Sequence, residues 1–117
     1  NGGKLCMSMR GIGFKYENLA KNFLLNKKMK YLESNYYSKY GEIDLIFKKG
    51  DILIFVEVKY RKNDVHGLAE ESVSEKKLNR IINTSLIYIA ENNWTGEYRY
   101  DLIAINGEEI VWFENII

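Results

Sequence analysis

The chain has 117 residues, 46% hydrophobic and 28% charged, with 17 Lys and Arg against 16 Asp and Glu for a net charge of +1. That size and balance suit a globular domain with one core. They leave no apolar run near the roughly 20 residues that span a bilayer, and no overall basic footprint of the kind nucleic-acid binders usually carry. The single cysteine, Cys6, has no partner for a disulfide within the chain, which points to a reducing, cytoplasmic setting. No apolar segment near the N-terminus suggests a signal peptide. Residues 1–10 are expected to form a tail, disordered or left from expression, ahead of a single domain over 11–117.

Gly11 and Gly13 loosen the entry. From Phe14 to about Lys28 the pattern is helical, with Tyr16, Leu19, Ala20, Phe23 and Leu24 on one face. Glu17 falls at the margin of that face, where a first-turn carboxylate also suits the positive end of the helix. Lys21, Lys27, Lys28 and Lys30 are expected to be a solvated face. Met29 to Ser38 reads as a strand containing Asn35. Tyr31, Tyr36, Tyr37 and Tyr40 are expected to pack on the strand and its turn; the functional alternative is a surface on which bases stack.

Gly41 to Phe47 and Ile52 to Lys59 then form two β-branched and aromatic runs joined by a short Gly-containing turn, the pattern of a hairpin. Alternation puts Glu42, Asp44 and Ile46 on one face of the first strand, against Ile43, Leu45 and Phe47. On the second, Phe55, Glu57 and Lys59 oppose Ile54, Val56 and Val58. A two-residue turn at Gly50-Asp51 sets Asp44 against Glu57, whereas a four-residue loop sets Glu42 against Glu57. Either register leaves Asp44, Glu57 and Lys59 on one face. Opposed Cβ atoms stand about 5 Å apart, and two carboxylates that close repel unless a cation lies between them or one is protonated. Oxygen ligands on rigid strands beside an ammonium suit a hard metal ion.

From Tyr60 to Leu68, with Arg61 and His66, the chain is polar and without period, and is expected to be a loop. Ser74 is a good N-cap for a second helix, whose buried stripe is Leu78, Ile81, Ile82, Ser85, Tyr88 and Ile89. Lys76, Lys77 and Arg80 crowd its first two turns, and Asn92-Asn93 ends it. Glu97 to Ile105 is a strand in which Asp101 is expected to pair with Arg99 or Arg61. Asn106-Gly107 turns into a last strand over Glu109 to Phe113. The order is α-β-β-β-α-β-β, an α/β fold with a mixed sheet flanked by helices.

Asp44 followed by Glu57-Val58-Lys59 resembles the Asp…Glu-x-Lys signature, PD-(D/E)XK, of the restriction-endonuclease-like nuclease superfamily. The fuller wording, Gly41-Glu42-Ile43-Asp44-Leu45-Ile46 with Phe55-Val56-Glu57-Val58-Lys59-Tyr60-Arg61, resembles the YraN-like family of small bacterial proteins, related to archaeal Holliday-junction resolvases. The likeness runs from about Gly11 to Ile105. It implies a restriction-endonuclease-like fold and a nuclease dependent on Mg²⁺ or Mn²⁺, acting on DNA that is structured or branched.

By that resemblance Asp44 and Glu57 bind metal, the backbone carbonyl of Val58 adds a ligand, and Glu17 reaches in from the first helix. Lys59 orients water and stabilises developing charge. Glu42 is an alternative ligand. Arg61 and Lys77 match family cations that can meet phosphate, although Arg61 equally suits a solvated surface and the Lys77 stem equally suits covering apolar surface. Tyr37 belongs to the stacking surface at the rim. His66 is expected to be a loop residue, since the lysine and metal do its work in this superfamily. A homodimer would suit the cutting of two strands. Two other readings stand beside this one. One is a nucleic-acid-binding module with the same fold and little or no cleavage. The other is a structural salt-bridge network, which the family match at Glu17, Asp44, Glu57-x-Lys59 and Lys77 disfavours.

Overall fold

A computed structural model describes residues 9–61 and 74–117, with side chains over 13–60 and 74–117. Most of the expected tail, and the stretch from 62 that holds His66, lie outside the described residues. The elements are α1 (Met9–Leu25), β1 (Lys30–Ser38), β2 (Gly41–Lys49), β3 (Ile52–Arg61), α2 (Glu75–Glu91), β4 (Glu97–Asn106) and β5 (Glu109–Phe113). The strands lie in sheet order β1-β2-β3-β4-β5. Only β3 and β4 run parallel, because the chain between them crosses over through α2. This is the mixed α/β architecture expected, consistent with a restriction-endonuclease-like fold.

The helices cover opposite faces of the sheet. Ala20 and Leu24 of α1 bury against Leu45, Phe47, Ile54, Val56, Ile103 and Ile105. Ile81 and Tyr88 of α2 bury against Ile43, Ile46, Leu53, Phe55 and Tyr100. Cover on both faces explains why β2, β3 and β4 read as near-continuous apolar runs. Ser74 caps α2 by accepting the Lys77 N–H at 3.1 Å, and Asn92 closes the helix.

Helix α1 departs from its sequence pattern at both ends. It begins at Met9 and runs through Gly11 and Gly13, since a helical glycine costs only about 1 kcal/mol against alanine and does not force a break. It ends at Leu25, where the N–H groups of Lys27 and Lys28 reach back to the carbonyls of Leu24 and Leu25 at 2.9 and 3.0 Å and Lys28 turns left-handed at φ 65°. Leu19, expected on the buried stripe, is exposed; the core contact narrows to Ala20 and Leu24, with Tyr16 and Phe23 at its edges.

The hairpin register is the two-residue one: Lys49 pairs with Ile52, and Gly50 at φ 60° supplies the positive first turn position. The ladder from this turn ends at Leu45–Val56, one step short of Asp44 and Glu57. Strict alternation in β2 does not survive that point. Leu45 and Phe47 face α1, but Ile43 packs with Ile46 on the α2 side. The pairs Ser34–Leu45 and Tyr36–Ile43 bracket Asn35 and Asp44, where Asn35 has left-handed backbone at φ 50°; the register of β1 against β2 shifts further along, between Tyr31 and Glu33, as at a β-bulge.

Strand β3 continues two residues beyond Lys59 instead of giving way to a loop. Tyr60 and Arg61 pair with Ile105 and Asn106 of β4, and the Tyr60 ring stacks on Tyr16 with centroids 3.7 Å apart. The parallel neighbour continues the ladder that local composition alone would have ended. Among the described residues no helix is long and apolar enough to cross a membrane.

Candidate metal centre

Four carboxylates converge where β2 begins, β3 nears its end and the two helices approach from opposite faces. Glu17 comes from α1, Glu42 and Asp44 from β2, and Glu57 from β3. Carboxylate oxygens of Glu17, Glu42 and Asp44 all lie within 4.8 Å of one another. The Asn35 side-chain amide holds two of them, donating to Glu17 Oε1 at 2.9 Å and to Glu42 Oε2 at 2.7 Å. Asp44 Oδ2 accepts the Val58 N–H at 2.8 Å, so the side chain takes a β3 donor just past the point where the β2–β3 ladder stops.

Glu57 is 5% exposed, and the ammonium of Lys77 sits 2.5 Å from its Oε2. An open cleft of about 270 Å³ is lined by Gly41, Glu42, Asp44, Glu57, Lys77, Arg80 and Ile81. Helix α2 crosses so near Gly41 that a Cβ there would stand 3.4 Å from the Arg80 Cβ. The first two turns of α2 thus bring a lysine and an arginine over the acidic strand ends.

The electrostatics follow from crowding. Burial pushes the Asp44 carboxyl well above the usual range, the Glu57 charge beside it adds to the rise, and the Val58 N–H opposes it. Burial also raises Glu17, with Asp44 and Glu42 adding to the rise and the Asn35 hydrogen bond working against it. For Lys77, burial disfavours the charged form, but the Glu57 carboxylate outweighs that and the ammonium is held above its ordinary value.

The residues singled out by sequence are unevenly assembled. Glu17 and Asp44 meet, joined by Glu42, while Glu57 lies beside Asp44 and turns to Lys77. The Val58 backbone lies against Asp44. Lys59 is half-buried two residues beyond Glu57. Tyr37 is 66% exposed and pairs with Glu42 through the backbone, which puts it at the rim. Arg61 closes β3, and its side chain lies outside the described residues. Asp101 stays away from the cluster, bound to Arg99. Sequence reasoning did not assign Asn35 or Arg80 to the site. The available signal for Asn35 was an asparagine inside a strand, where that residue is disfavoured.

A family model described as "Uncharacterised protein family UPF0102" matches residues 16–105. The chain belongs to this family. Its relatives in UPF0102 include a protein of Vibrio parahaemolyticus, 44% identical over 114 residues and covering 94% of each chain. A Sulfurihydrogenibium protein is 42% identical over 101 residues, covering 86% of this chain and 88% of its own. A Fusobacterium nucleatum protein is 37% identical over 112 residues, covering 95% and 94%. The matched span of the UPF0102 model contains Glu17, Asn35, Glu42, Asp44, Glu57 and Lys77. This is the YraN-like group, related to the PD-(D/E)XK proteins, that the Gly41–Arg61 wording resembles.

The donor set fits a divalent cation. All three clustered side chains offer oxygen, the donor that hard ions such as Mg²⁺ and Mn²⁺ take. The partner that Glu17 and Glu42 share, Asn35, is neutral, so it orders these two like charges without adding a positive one.

Proposed function

We propose that this UPF0102 protein is a Mg²⁺- or Mn²⁺-dependent nuclease that hydrolyses phosphodiester bonds in DNA, with structured or branched DNA as its substrate in the cytoplasm. The observation that carries the reading is the Glu17–Glu42–Asp44 cluster opening into a cleft that Lys77 and Arg80 also line. Asp44, Glu17 and Glu42 hold the cation, with Glu57 and the Val58 carbonyl as further donors. When bound, the cation polarises the phosphate and lowers the pKa of water. Lys77 and Arg80 bind phosphate, Arg61 adds a bidentate contact, and Lys59 stabilises charge on the scissile group. Tyr37 stacks on a base at the rim. A symmetric homodimer would present two such sites to two strands.

Calorimetric titration with Mn²⁺ tests this on wild type and on the Asp44→Asn/Glu57→Gln double variant, with branched and linear DNA cleavage run on the same preparations. Metal binding and cleavage lost together in the variant support the nuclease. A second reading, a nucleic-acid-binding module without cleavage, draws on the Lys77–Glu57 ion pair, which satisfies one expected ligand without a metal. DNA affinity that survives Asp44→Ala and Glu57→Ala, in a wild type that neither binds Mn²⁺ nor cleaves, would establish the module instead.

A further inference from the structure

Asn35 touches two of the three clustered carboxylates through a single group. Its side-chain nitrogen has two hydrogens, and both are used: one goes to Glu17, 18 residues away on α1, the other to Glu42, seven residues away on β2. The helix and the strand that bring these acids therefore meet at one amide. The backbone of the same residue is left-handed, at φ 50°, in the middle of a nine-residue strand. Asparagine tolerates that conformation better than most residues, but a regular sheet has no need of it. The paired residues on either side continue the β1–β2 ladder, and Asp44 opposite accepts the Val58 N–H.

We propose that Asn35 is the positioning residue of the metal centre, its amide gathering Glu17 and Glu42 into one ligand set beside Asp44. The inference rests on the metal-dependent reading above. An amide suits the task because it orders two anions without neutralising them. A lysine or arginine in its place would supply the positive charge itself and compete with the cation. Groups that orient metal ligands from behind typically change metal affinity by about 10- to 100-fold when removed.

The test is Mn²⁺ calorimetry on wild type, Asn35→Gly and Asn93→Gly. Glycine accepts positive φ without cost, so Asn35→Gly deletes the amide and keeps the backbone. Asn93, left-handed at φ 52° beyond the end of α2, controls for the same exchange away from the cluster. The expected result is Mn²⁺ binding about 10- to 100-fold weaker in Asn35→Gly and unchanged in Asn93→Gly. An Asn35→Gly protein that binds Mn²⁺ as tightly as wild type overturns the proposal while leaving the metal centre standing. A wild type that binds no Mn²⁺ overturns the metal reading and this inference together.

Should Asn35→Gly fail to fold, the side-chain amide protons of wild-type Asn35 decide the matter by NMR. Slow solvent exchange, with shifts on adding Mg²⁺, supports the clamp. Exchange as fast as that of the exposed Asn93 amide, with no response to Mg²⁺, overturns it.

Discussion

Two acidic residues of this sheet meet opposite fates. Asp101 on β4 is completely buried, and each of its oxygens accepts two hydrogen bonds. Oδ1 takes Arg99 Nε at 3.0 Å and the Asn115 N–H at 2.8 Å; Oδ2 takes the second Arg99 nitrogen at 3.1 Å and the Trp112 indole at 2.9 Å. Asp44 on β2 has one backbone donor and three other carboxylates around it. A carboxylate that is fully donated to, with a guanidinium beside it, is part of the scaffold. One placed among like charges with too few donors is strained when ionised unless a cation arrives. Both are aspartates on strands of one sheet, so the surrounding donors separate the acid that is fully bonded from the one left among like charges.

The comparison breaks most visibly at Asp101. Asp101→Ala leaves the guanidinium, the indole and a backbone N–H short of an acceptor. Removing one partner of a buried pair costs about 3 to 5 kcal/mol, and the lower figure is expected because Arg99 keeps Glu114 at 2.9 Å. Urea unfolding should show the loss, with Mn²⁺ affinity of the folded fraction unchanged.

Asp44→Asn should do the reverse. It removes one of the crowded charges while an amide oxygen still accepts from Val58, so the metal-free protein should be more stable than wild type at neutral pH. Calorimetry on that variant should find no Mn²⁺ binding. Loss of stability in the metal-free variant would count against burial and the neighbouring Glu57 charge as the source of the raised pKa.

Thermal midpoints against pH sharpen the same point. Asp44 and Glu17 are both raised in the folded state, chiefly by burial. Their favourable contribution is complete below the ordinary carboxylate pKa of about 4 and is lost as pH rises through their elevated values. The metal-free wild type should therefore lose stability over that range, Asp44→Asn should lose less, and Mn²⁺ at neutral pH should restore wild type while releasing protons.

Lys77→Gln should destabilise less than Asp101→Ala, because Lys77 is 38% exposed and solvent screens its side of the pair, while Glu57, 5% exposed, loses that partner. Its larger signature is in DNA binding, where loss of one phosphate contact should lower the slope of log affinity against log salt by about 0.9. An unchanged slope would confine Lys77 to its bond with Glu57.

Much of this is written in local pattern. The Ser74 cap and the Ile81–Ser85–Tyr88 stripe each follow from a few neighbouring residues, because capping and periodicity are short-range properties; the two-residue form of the hairpin turn and Arg99 as the partner of Asp101 were chosen by the assembled sheet. The acidic hairpin could be read as a hard-metal site from local pattern too, since carboxylates on one face of adjacent strands lie near one another in either register. The exchange of roles between Glu42 and Glu57 could not. Whether a carboxylate meets Glu17 and Asn35 or the Lys77 ammonium depends on how α1 and α2 descend on opposite faces of the sheet, and those approaches are set by contacts distant in sequence. The left-handed turn of Asn35 belongs to the same class: its side chain is satisfied only when Glu17 and Glu42 are both present, and no window of local sequence contains all three with their geometry. Pattern thus carries the elements and the chemical character of the site, while packing selects which donors each acid receives, because hydrogen bonds and Coulomb energy depend on distances that only the assembled core establishes.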